Sequence, residues 1–119
     1  MKPTLVLSDN YSNIDSSQIS ILKDQKALQK FFIQVNKTRK PGLPVPVIDF
    51  SKEMLILVCA GEQHGNYEPK VTFVKEDADK MTFKVMEKSQ KDSIQTGTTT
   101  PFYLYKMPIS GKQVSFIKQ

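Results

Sequence analysis

The sequence predicts an α+β domain in which one helix packs on a mainly antiparallel sheet of about five or six strands. Three observations predict it: one stretch near residue 30 with helical apolar spacing, a seven-residue apolar run from Met54 to Ala60, and several later segments of strict alternation. At 119 residues the chain has material for one core, so 1–119 reads as a single domain. Hydrophobic residues are 39% and charged residues 24% of the chain, a mix that can bury a core and is not that of a disordered segment.

Residues 1–17 hold a short apolar run, Leu5-Val6-Leu7, followed by a stretch rich in Ser, Asn and Asp that reads as a turn or loop, so this end is expected to be loosely ordered. Ile19 and Ile21 alternate within Gln18 to Leu22, which suggests a short strand. Asp24 then stands where an N-cap satisfies free backbone N–H groups. Ala27, Leu28, Phe31, Phe32 and Val35 form one apolar stripe of the helix that follows, while Lys26, Gln29, Lys30 and Gln34 face water. Asn36 to Pro46 contains three prolines and a glycine among Lys37, Arg39 and Lys40. Proline lacks the N–H and biases its predecessor to extended geometry, so this is a basic, stiffened loop.

Met54 to Ala60 has no polar face, as expected for a central strand covered on both sides. Lys70 to Lys75 and Met81 to Glu87 alternate: Val71, Phe73, Met81, Phe83 and Val85 project one way and Thr72, Thr82 and Lys84 the other, with a polar hairpin connection between them. Lys88 to Thr100 has no periodicity and reads as a long surface loop. Phe102 to Met107 resumes the strand pattern, and after a turn at Pro108 to Lys112 the segment Val114 to Ile117 is expected to close a terminal hairpin.

A net charge of +5 permits an anionic partner but falls short of a dedicated nucleic-acid binder. One cysteine, Cys59, and one histidine, His64, leave no internal disulfide framework and no Cys/His zinc site, so neither metal nor cofactor is expected. The longest apolar run is far below the roughly 20 residues that span a bilayer, and no signal peptide opens the chain. A start such as Met1-Lys2-Pro3 would also result from removal of an export signal, so the compartment stays open. No glycine-rich phosphate cradle or G-x-S-x-G elbow is present. Cys59, inside the apolar strand, is expected to be an inert core thiol.

His64, between Gly61 and Gly65, has the chemistry of a general base near neutral pH, but a lone loop histidine without a nucleophile motif is usually just solvated. A hydrolase is therefore the third reading. Lys37-Thr38-Arg39-Lys40 is the one dense basic run, and anion or nucleic-acid binding through it is the second. The first is a non-enzymatic binding surface made by two loops, Gly61 to Pro69 and Thr96 to Phe102, since loops held by a rigid sheet are where binding usually resides. Its residues are Gly61, His64, Gly65, Asn66, Tyr67, Thr99, Thr100, Pro101 and Phe102, with Tyr67 as the main anchor. Tyr103 and Tyr105 are amphipathic anchors of the same kind, or strand residues that merely pack.

Asp49-Phe50-Ser51, the apolar strand ending in Gly61, Gly65-Asn66-Tyr67, the hairpin after it, and Thr99-Thr100-Pro101-Phe102 running to Met107-Pro108 together resemble the PrcB C-terminal domain family. That family is named after a lipoprotein subunit of a bacterial surface protease complex. The match covers roughly Ile19 to Phe116 and rests on the order of short motifs. It departs at the turn, where Asn66 replaces a second glycine, a substitution asparagine tolerates through its access to left-handed geometry. The resemblance implies an exported, often lipid-anchored domain of the bacterial cell envelope. Such a domain has no activity of its own, and its partner would be a protein such as a protease. Any membrane attachment would run through a lipid anchor upstream of Met1.

Overall fold

The computed structural model describes residues 3–63, 66–90 and 98–118, with backbone alone at 66–68, 87–90 and 118. Asp24 starts helix α1 (Gln25–Val35): its carboxylate accepts a 2.7 Å hydrogen bond from the Ala27 N–H. Leu28, Phe31, Phe32 and Val35 are the buried stripe, as their spacing requires. At the other end the Asn13 side-chain amide donates to the carbonyls of Gln34 (3.0 Å) and Val35 (3.1 Å), among the last carbonyls of the helix. After a 3-10 turn at Asn36–Thr38 the Asn36 side chain bonds both the N–H (2.8 Å) and the C=O (3.0 Å) of Leu43, which folds the proline-rich loop back on itself.

Among the described residues seven strands form two sheets. The first is wholly antiparallel: β1 (Thr4–Asp9), β6 (Phe102–Pro108), β3 (Glu53–Ala60) and β2 (Ser17–Leu22), in that spatial order. In the second, β5 (Lys80–Gln90) lies between β4 (Asn66–Glu76), which is antiparallel to it, and β7 (Gln113–Lys118), which is parallel. The molecule has three layers, with the helix on one face of the four-stranded sheet and the three-stranded sheet on the other.

β3 explains why both faces are covered. Leu55, Leu57 and Cys59 point into the helix-side core with Leu28, Phe31, Phe32, Phe102 and Leu104. Met54, Ile56 and Val58 point into the sheet-side core with Met81, Phe83 and Met107. A strand with two apolar faces needs two apolar covers, and each of its buried aliphatic side chains contributes about 1.5–3 kcal/mol.

The structure corrects three expectations. The strands number seven and divide between two sheets rather than sharing one of five or six. Leu5-Val6-Leu7 sit in edge strand β1, which pairs with β6. β7 makes no hairpin with β6, because the chain crosses between layers after Pro108 and runs beside β5. Finally, β4 begins at Asn66, so Tyr67 and Pro69 belong to a strand rather than to the loop after β3.

Candidate functional site

β1 and β3 finish at one end of the four-stranded sheet, where β2 and β6 begin, and this end gathers the expected binding segments. Gly61 leaves β3 with φ +75°, and a Cβ on it would lie 2.9 Å from the Ser17 nitrogen and 3.0 Å from the Asp15 carbonyl oxygen. Only glycine fits that approach. Two residues later the chain meets the second segment. The Gln63 N–H donates to the Thr99 carbonyl (2.8 Å) and the Thr99 N–H returns a bond to Gln63 (2.9 Å). The Ala60 N–H donates to the Pro101 carbonyl (2.9 Å).

On its other side this segment is strapped to the 10–13 loop. The Ser12 N–H donates to the Thr100 carbonyl (2.8 Å) and hydroxyl (2.9 Å), and the Thr100 N–H donates to the Asn10 carbonyl (2.9 Å). Arg39 closes the same rim, with its guanidinium 2.6 Å from the Asp9 carboxylate and 3.2 Å from the Tyr11 carbonyl.

The nine expected contact residues take different roles. Thr99 and Thr100 are half-buried at the rim. Asn66 and Tyr67 open β4 opposite Gln90 and Ser89. Among the described residues, left-handed backbone occurs at Gly61 and Asn13. His64 and Gly65 lie outside the described residues, as do 91–97 of the second loop. Gly61, Pro101 and Phe102 are buried framework and offer a partner no side-chain surface. The correction is plainest at Phe102, whose ring packs edge-on against Phe31 (5.0 Å) and Phe32 (6.4 Å). Among the described side chains, Tyr11 presents an exposed ring at this rim, at 53%. An aromatic in an otherwise polar loop was the signal that could have found it.

Tyr103 and Tyr105 line the sheet-side core. The Tyr105 hydroxyl donates to the Pro69 carbonyl at 3.3 Å. Burial, helped by Tyr103, pushes its pKa up to about 12, so it stays neutral. Cys59 is buried, and burial raises its thiol to about 11, which makes it an inert core group. Among the described residues no three His, Cys, Asp or Glu side chains gather to hold a metal ion.

In the basic loop, Arg39 is engaged by Asp9 while Lys37 and Lys40 are exposed. A second lysine group escapes linear reading. Lys70, Lys75 and Lys84 fall on the outward face of the three-stranded sheet, because Val71, Phe73, Phe83 and Val85 turn inward and the register pairs Lys75 with Thr82 and Lys84 with Thr72. No known protein family, curated protein or solved structure matches this chain.

Proposed function

We propose that the protein is a non-enzymatic binding domain of the bacterial cell envelope, an accessory module related to the PrcB C-terminal domain. It docks a protein partner, a protease in the first instance, at the rim where 61–63 meet 98–100, together with Tyr67 at the start of β4. The observation that carries this reading is the reciprocal backbone pairing of Gln63 and Thr99, which joins two segments 36 residues apart into one surface. Tyr67 and the exposed Tyr11 supply its aromatic contacts. Export and lipid anchoring come from the sequence resemblance alone. The test uses the full chain as bait in a cell-envelope extract, with Tyr67→Ala and Tyr11→Ala beside it. One protease or envelope protein that the native chain recovers and both folded variants lose is the expected result. Equal recovery by all three would overturn the surface.

A second reading, anion binding, is favoured by the outward lysine face. Lys70, Lys75 and Lys84 share it with Thr72, with Val74 and Met86 exposed beside them. Retention on heparin that falls steeply with salt, and is lost when the three lysines become glutamates, would support this face over the rim. Salt-insensitive retention would exclude it.

A further inference from the structure

Each sheet has two outer strands, and exposed strand edges template pairing with other chains unless they are guarded. β1 is interrupted by a bulge between Leu5 and Leu7 and ends at Asp9, which Arg39 holds. β4 contains Pro69, a bulge between Phe73 and Lys75, and lysines at 70 and 75. β7 ends on Lys118. β2 has none of these devices: Ser17-Gln18-Ile19-Ser20-Ile21-Leu22 carries no charge and no proline, and its register with β3 is unbroken. Among the described residues, the backbone of 18–22 takes part in the β2–β3 ladder and in no hydrogen bond to any other element.

We infer that β2 pairs antiparallel with β2 of a second copy of this chain about a two-fold axis, joining two four-stranded sheets into one of eight. Two-fold symmetry sets each residue against one of the same strand, so a charged strand would face its own charges and an uncharged one does not. The register that centres Ile19 on Ile19 sets Gln18 against Ser20 and places exposed Asp15 opposite exposed Lys23 at both ends of the junction. Ile19, half-buried at the margin of the sheet-side core, is then covered by its symmetry mate, and the equally half-buried Ile21 stands opposite Ser17 of the second copy. Pairing through a six-residue strand buries an area at the small end for stable complexes, so the dimer dissociates on dilution.

Sedimentation velocity of the full chain over a concentration series tests this. The expected result is a transition from 13.5 kDa to twice that mass. Gln18→Lys with Ser20→Lys brings lysines face to face across the axis and leaves only monomer, while circular dichroism stays native. Because those changes touch a strand, a second test uses exposed side chains only: Lys23→Glu weakens association severalfold, and adding Asp15→Lys restores it. A native chain that stays monomeric at its highest soluble concentration overturns the inference. So does a dimer indifferent to the two lysines, or one that the charge exchange fails to restore.

Discussion

The two cores on either side of β3 are built from different materials. On the helix side three phenylalanines lock together, Phe31 edge-on to Phe32 at 5.5 Å and both edge-on to Phe102. On the sheet side three fully buried methionines, Met54, Met81 and Met107, share the core with Phe83, whose ring contacts, edge-on with Phe73 and stacked with Phe116, stay within the three-stranded sheet instead of crossing between layers. Aromatic rings in edge-to-face contact constrain orientation, whereas unbranched methionine fills whatever gap is left. The helix-side core therefore specifies how the layers sit, and the sheet-side core accommodates them.

Phe102→Ala tests this contrast with the largest effect, because it removes a ring that touches both helix phenylalanines. A loss of about 3–5 kcal/mol in urea unfolding is expected, and a loss below that of a typical surface change would refute the locking role. Alkaline pH separates the cores next. Cys59, on the helix side, has its pKa raised from 9.0 to about 11 by burial. The unfolded chain thus loses its proton first, and stability present below pH 9 declines by about 2–3 kcal/mol as pH rises to 11. Tyr105, on the sheet side, is raised in the same direction and adds to the decline only above pH 10. A Cys59→Val variant should flatten the earlier part of the curve, and an unchanged profile would reassign it. Met54→Leu, Met81→Leu and Met107→Leu should each cost under about 1.5 kcal/mol, and a larger loss at any one would mean that this side is as rigid as the other. Asp24→Ala, which loosens the start of the helix that covers the aromatic core, should cost about 1 kcal/mol in thermal unfolding.

Local pattern was enough wherever structure is local. The Asp24 cap, the helical stripe, the doubly covered strand at Met54 to Ala60 and the β4–β5 hairpin all follow from spacing and turn chemistry within about 20 residues. What escaped depends on partners far along the chain. β1 is a strand because β6 lies beside it, and β7 runs parallel because β5 does. The rim was partly legible: the two segments do meet, but proximity to a loop suggested a contact role for Phe102 that its packing against α1 denies. Phe102-Tyr103-Leu104-Tyr105 alternates between two covered faces, and an alternation of that kind does not say which face, if either, is open.

The strand order β1-β6-β3-β2 has a consequence during synthesis. β6 sits inside the sheet yet is among the last strands to leave the ribosome, and among the described residues it is the strand that pairs with β1 and the second partner of β3. Until about residue 108 has emerged, the most apolar segment of the chain has one side of its backbone unmet and Phe31 lacks the ring it packs against. Non-local pairings of this kind form slowly and leave apolar surface open to aggregation. A nascent chain stalled before Phe102 is thus the form of this protein that most needs a chaperone.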